Sequence, residues 1–199
     1  MLTLRATGTA AAVEPGMVEL EVPHYDGPPV RLRVKTRGAL SSWCCDSLRA
    51  GDLCLAIGYG YQRRSPNGPQ LWMEADAVVA RPELGQTIAD TMTIATNGVL
   101  VDDPSLGVAE SGPRRGDEVG RFTVHARSPH RDGPTVLRCK VWGRAAHWIA
   151  KRHKGGDRIN VEGTMREVRW TDGGGEPRRA HEIIVRRWHY AKAPPEARR

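Results

Sequence analysis

Between Val136 and Trp170 the hydrophobic period of the chain changes twice. Leu137, Cys139 and Val141 alternate with Arg138, Lys140 and Trp142, the period of two that predicts a strand with one core face and one basic, aromatic face. After Gly143 the apolar positions Ala145, Trp148 and Ile149 fall at i, i+3 and i+4. That stripe predicts a short helix, with Arg144, Lys151, Arg152 and Lys154 on its other faces, stopped by Gly155-Gly156. From Asp157 the alternation returns with Ile159 and Val161 inward, and Gly163 marks a bend or bulge in a coiled strand.

The first half carries the same pattern. Strands are predicted from Leu2 to Val13 and from Met17 to Pro23, on either side of Glu14-Pro15-Gly16, and the turn Tyr25 to Pro29 follows. From Val30 to Gly38, Leu32, Val34 and Thr36 alternate with Arg31, Arg33, Lys35 and Arg37. A helix from Ala39 to Leu48 places Leu40, Trp43 and Cys44 on one stripe, and strands follow from Asp52 to Arg64 and from Leu71 to Arg81. At a fixed offset of 105, Leu32, Arg33, Lys35, Gly38, Trp43, Gly51, Asp52, Gly58 and Arg64 meet identical residues at Leu137, Arg138, Lys140, Gly143, Trp148, Gly156, Asp157, Gly163 and Arg169. The identities gather at turn glycines and core positions, as an internal duplication requires.

Strand, capping helix and long bent strand form the middle of a five-stranded OB barrel. The expected fold is therefore all-β: two tandem OB-fold five-stranded barrels, each with a short helix between strands 3 and 4. Residues 1–82 are expected to form a diverged N-terminal OB fold, 83–91 a linker, 92–190 the second OB fold and 191–199 a flexible tail. In the second copy, strands Met92–Val101 and Val119–Ala126 flank a polar loop containing Arg114-Arg115. The turn Thr171 to Gly175 then feeds a final strand, Arg179–Tyr190. Trp43 and Trp148, on the apolar helix stripes, are expected to plug the barrel floors. Cys44 and Cys139 read as buried thiols, and the four cysteines show no CxxC pairing.

Charge separates the two copies. The chain carries a formal +7, but residues 1–90 hold 9 Lys+Arg against 10 Asp+Glu, net −1, and residues 91–199 hold 21 against 13, net +8. A cationic excess beside exposed aromatics favours an anionic polymer as partner. The N-terminus lacks a basic segment followed by an apolar run, and no stretch approaches the roughly 18 apolar residues of a membrane span, so a cytoplasmic protein without membrane contact is expected. No GxxxxGK[ST] loop, GxSxG elbow or HExxH pattern occurs. Neither enzyme activity, cofactor, metal nor small-molecule substrate is expected.

Binding single strands without sequence preference needs a cationic groove and flat side chains on which bases stack. Trp142, sharing a strand face with Arg138 and Lys140, and Trp170, with Arg166 on its own face and Arg169 adjacent, are the candidate platforms. Alternative readings bury Trp142 at a subunit interface and make Trp170 a pin for its loop. Arg127, His130 and Arg131 are candidates for the groove edge, or for a solvated turn. In the first copy Arg31, Arg33, Lys35 and Arg37 offer a phosphate track, with Tyr59, Tyr61 and Trp72 as further rings.

Val141-Trp142-Gly143, the turn Lys154-Gly155-Gly156-Asp157, Val161-Glu162-Gly163 and Arg169-Trp170-Thr171-Asp172 together resemble the bacterial single-stranded DNA-binding protein (SSB) family, over Met92 to Trp188. The resemblance implies aromatic platforms at Trp142 and Trp170, and at the positions of His130 and Val136, neither of which is aromatic here. In the first copy Arg37 and Ser65 stand where Trp142 and Trp170 stand in the second. The resemblance also implies an acidic, aromatic-terminated tail; the sequence closes on Glu196-Ala197-Arg198-Arg199, so recruitment of partners by such a tail is not expected. Because the family works with four OB folds, two per chain imply a homodimer on single-stranded DNA, nucleoid-associated, in replication, recombination, repair or DNA transfer. An RNA-binding OB protein, or a protein-interaction module of a replication or transfer complex, are the competing readings.

Overall fold

The computed structural model describes residues 2–24, 27–66, 68–80, 92–110, 112–127 and 134–190. The expected linker 83–91 and tail 191–199, and the candidates His130 and Arg131, lie outside the described residues. In the first module, β1 (Leu2–Glu14), β2 (Met17–His24) and β3 (Gly27–Lys35) precede α1 (Gly38–Ser47), and β4 (Leu53–Arg63) and β5 (Gln70–Ala80) complete it. The second contains β6 (Met92–Leu100), β7 (Ser105–Val108), β8 (Glu118–Arg127), β9 (Pro134–Trp142), α2 (Arg144–Arg152), β10 (Arg158–Thr171) and β11 (Pro177–Tyr190).

The strand pairings make a circuit in each module. β1 pairs with β2, β2 with β3, β3 in parallel with β5, β5 with β4, and β4 with β1. The second module repeats this with β6, β8, β9, β11 and β10. Both helices lie between the third and fourth strands of their circuits, as the OB pattern requires. The short β7, beside β8, is an addition the alternation did not predict. It is four residues long with Leu106 and Val108 exposed, so it shows no period of two.

The duplication extends to backbone geometry. Gly38 opens α1 and Gly143 caps α2, with φ of 54° and 63°, and Gly51 and Gly156 follow the helices at 96° and 88°, values that favour glycine. In each turn an aspartate accepts from the backbone three residues earlier: Asp52 Oδ2 from Arg49 N at 2.8 Å, Asp157 Oδ2 from Lys154 N at 2.9 Å. The predicted bend at Gly163 is a register shift between Glu162 and Gly163, and Gly58 occupies the same shift after Ile57.

Among the described residues the modules meet through a strand pair and through side-chain contacts. β1 pairs antiparallel with β6, from Leu2↔Thr96 to Ala6↔Met92, making one continuous sheet. Beyond the barrel, Gln62 of β4 reaches His181 of β11, Nε2 to Nδ1 at 3.5 Å. Gly68 sits against Arg179 so closely that a Cβ there would lie 2.5 Å from the Arg179 carbonyl oxygen.

The inward positions Leu32, Val34, Leu137, Cys139, Val141, Ile159 and Val161 are buried, as are Cys44 and Cys54. The two helix tryptophans are not: Trp43 is 38% exposed and Trp148 51%. The expected floor plugs are therefore corrected. α2 turns Ala146 and Ile149 to the core instead, because it lies so close to β8 that a Cβ on Gly120 would be 3.1 Å from the Ala146 Cα. Only a small side chain fits there, and Trp148, next to Ile149 and a quarter-turn or so round the helix, is directed out.

Candidate nucleic-acid interface

β9, β11 and β10 lie side by side, and their outer faces carry the candidates. Arg138 of β9 is level with Glu182 of β11, which is level with Arg166 of β10. Trp142 is four residues along β9 from Arg138; Trp170 is four residues along β10 from Arg166. β11 runs parallel to β9 and antiparallel to β10, so the two tryptophans depart in opposite directions. At about 3.3 Å per residue they end about 26 Å apart along the strands, with Arg138, Lys140 and Arg166 between them.

The middle of this track is held by a carboxylate. Glu182, 8% exposed, accepts from Arg166 Nε at 3.0 Å and Nη2 at 2.7 Å, and its other oxygen lies 2.9 Å from Lys140 Nζ. Two half-buried cations share one anion, so one positive charge remains uncompensated, to which Arg138 adds. Arg138 is exposed and, among the described residues, forms no ion pair.

Trp170 is 42% exposed near the tip of the β10–β11 hairpin, opposite Arg178. Arg169, Trp170, Thr171, Pro177, Arg178 and Arg179 line a shallow cleft of about 410 Å³. The turn is fixed by Asp172, whose Oδ1 accepts from Gly174 N and Glu176 N at 3.0 Å each, and whose Oδ2 accepts from Arg178 Nε at 2.7 Å. The Arg178 guanidinium, then the backbone amides, hold the Asp172 carboxyl below its usual range. Arg169 Nε donates to Glu167, whose side chain is buried.

Trp142, at the other end, is half-buried, and Arg114 from the β7–β8 turn lies over its ring, Cζ 5.1 Å from the centroid. Arg127 is exposed at the end of β8, level with Pro134. Glu182 and Arg114 escaped the sequence reading. A single glutamate in a basic final strand gives no local signal, and Arg114-Arg115 read only as part of a polar loop. Chemically, the arrangement offers flat rings suited to stacking and guanidinium and ammonium groups suited to anions.

The first module's cations are engaged otherwise. Arg31 pairs with Glu21 at 3.4 Å, Arg33 with Glu19 at 3.3 Å, and Lys35 and Arg37 with Glu74 at 3.4 and 3.1 Å. Trp72, 8% exposed, stacks on buried Tyr61 with centroids 6.4 Å apart, under Arg63 at 4.4 Å and Arg33 at 5.4 Å. Tyr61 and Trp72 are thus interior to a cation–aromatic stack rather than platforms. Among the described residues no group of three His, Cys, Asp or Glu side chains could hold a metal ion, and no helix is long and apolar enough to cross a membrane.

Residues 92–190 match the model of the single-strand binding protein family. The chain is 32% identical over 108 residues to single-stranded DNA-binding protein 2 of Streptomyces coelicolor, covering 49% of this chain and about half, 52%, of that relative. In fold it is similar to the wild-type single-stranded DNA binding protein from Thermus aquaticus (TM-score 0.69, 18% identity, 98% of this chain and 95% of that one). A deletion mutant of that protein matches with a TM-score of 0.67 over 98% of both chains. The likeness to the Thermus structures therefore covers both modules, while the family's sequence pattern occupies the second, and through it the chain belongs to the single-strand binding protein family.

Proposed function

We propose that the protein binds single-stranded DNA without strong sequence preference, stacking bases on Trp142 and Trp170 and meeting phosphates with Arg138, Lys140, Arg166 and Arg169. Arg127, exposed at the end of β8, edges the same groove. The observation that carries this reading is the pair of tryptophans at opposite ends of one cationic strand face in the module that matches the family. Protection of exposed strands in replication, recombination, repair or DNA transfer, in the cytoplasm beside the nucleoid, follows from that ligand. A homodimer presenting four OB folds is the assembly that suits two modules per chain.

The first module, residues 1–82 in this reading, serves assembly more than contact. Its cations Arg33, Lys35 and Arg37 are all engaged in ion pairs, with Glu19 and a shared Glu74, and its Gln62 props the hairpin that carries Trp170. Titration of intrinsic tryptophan fluorescence with oligo(dT) at two salt concentrations tests the reading. Quenching is expected, with an affinity that falls as salt rises, at a log–log slope of about −0.7 per phosphate neutralised. Saturating quenching with no salt dependence would remove the cations from the site. Competition between DNA and RNA oligomers of equal length decides between the two nucleic acids, DNA being expected to win.

A further inference from the structure

The duplication provides a comparison inside the molecule. Trp43 in α1 and Trp148 in α2 occupy equivalent places and both are exposed. One turn to either side of Trp43 stand Ala39 and Ser47, with Asp46 beside them; around Trp148 the same positions are Arg144, Arg152 and Lys151. Arg152 Cζ lies 3.9 Å from the Trp148 centroid. Positions i, i+4, i+7 and i+8 share one helix face, so Arg144, Trp148, Lys151 and Arg152 form a continuous exposed stripe.

The charge on this stripe differs from that in the groove. Lys140 and Arg166 share Glu182, and Arg169 has Glu167. Elsewhere near α2, Lys154 is paired with Asp103 and His147 with Glu118. Among the described residues, no ion pair engages Arg144, Lys151 or Arg152. The stripe also begins two residues after Trp142, with only Gly143 between that ring and Arg144.

We propose that this face of α2 is a second contact for single-stranded DNA, continuing the strand's path from Trp142 along the helix, with Trp148 as a third stacking platform and Arg144, Lys151 and Arg152 as phosphate contacts. The proposal rests on the groove reading above. Three cations with no carboxylate partner among the described residues call for a polyanion. A half-exposed indole among them favours unpaired bases over a duplex, whose bases are already stacked on each other.

The test uses the full chain and two dT oligomers: one of about 8 nucleotides, within the site of a single OB fold, and one several times longer. Trp148→Ala is expected to leave the short oligomer's affinity unchanged and lower that of the long one about five- to hundredfold, with Trp148→Phe restoring most of it. Lys151→Ala with Arg152→Ala should flatten the salt slope of the long oligomer by about 0.7 per cation. Trp43→Ala, in the module without the cations, should change neither. Wild-type affinity for the long oligomer in both α2 variants overturns the proposal. An equal loss for both lengths overturns it too, because it marks a structural effect on the groove. Unchanged DNA binding with lost binding of a poly-glutamate peptide assigns the stripe to an acidic polypeptide instead. A wild-type protein that binds neither oligomer sinks the groove reading itself, and this proposal with it.

Discussion

Glu182 and Arg166 are joined by two hydrogen bonds, both to the same carboxylate oxygen, at 3.0 and 2.7 Å, and Lys140 waits on the other oxygen. The carboxylate holds the middle of the track in place and at the same time withholds positive charge from any phosphate that approaches. Glu182→Gln separates these effects. It leaves two half-buried cations without their anion, and breaking a buried pair is costly; with both cations partly solvated, a loss of about 2 kcal/mol in a urea melt is expected. Oligo(dT) binding should become more salt-dependent, its log–log slope steeper by about 0.7 as a second cation is freed for phosphate. An unchanged slope would place Arg166 and Lys140 outside the DNA contact.

Trp142 and Trp170 stand about 26 Å apart along the strands. Replacing either by Ala should cost about 1 to 3 kcal/mol of oligo(dT) affinity, and the double variant should lose the sum, since sites this far apart add. Equilibrium titrations of the three variants check this. A double variant that loses no more than one single variant would mean that a strand engages only one platform at a time.

The bulges give a stability prediction. A Cβ on Gly163 would lie 2.2 Å from the Ile184 carbonyl oxygen, and one on Gly58 2.1 Å from that of Glu74. Both obstacles are backbone in the paired strand, which cannot rotate away. Gly163→Ala and Gly58→Ala should each lower stability by about 3 kcal/mol, read as a shift of the denaturation midpoint. Gly173→Ala, with nothing within 4 Å of the added carbon, should shift it by less than about 0.5 kcal/mol.

Those two glycines also show what the sequence could reveal. Gly58 and Gly163 are dictated by the close approach of the paired strand at the bulge, and Gly38 with Gly143 and Gly51 with Gly156 by local backbone conformation, so all recur at one offset and disclose the duplication directly. Strand faces were legible for the same reason: alternation at Leu137, Cys139 and Val141 is a local consequence of one-sided burial. The helix tryptophans were not, because whether Trp148 or Ala146 faces the barrel depends on how closely α2 approaches Gly120 of β8, a distance set by tertiary packing. The cations behaved similarly. Arg33, Lys35 and Arg37 read as a track, but Glu19 pairs with the first and Glu74 is shared by the other two, both carboxylates coming from other strands. Their partners are far apart in sequence and meet only through register.

The contact between the modules carries a pH dependence. His181 is buried between Gln62 of the first module and Glu167 of its own hairpin, with Glu167 Oε2 3.8 Å from Nε2. Burial pushes its imidazole down to about 4, against the opposing pull of Glu167 and with Arg179 adding to the fall. The unfolded chain takes up this proton near pH 6.5 and the folded one only near 4. Over that interval the unfolded state binds more protons, so stability rises with pH from about 4 to 6.5 and is level above it. The contribution lost on acidification is about 3 kcal/mol. Urea melts across this range should show the slope, and His181→Gln, which keeps a polar partner for Gln62 but cannot charge, should remove it. Because His181 and Gln62 prop the hairpin that carries Trp170, the same acidification should weaken quenching by oligo(dT) in the wild type more than in His181→Gln. Equal weakening in both would mean that the hairpin does not depend on the first module for its position.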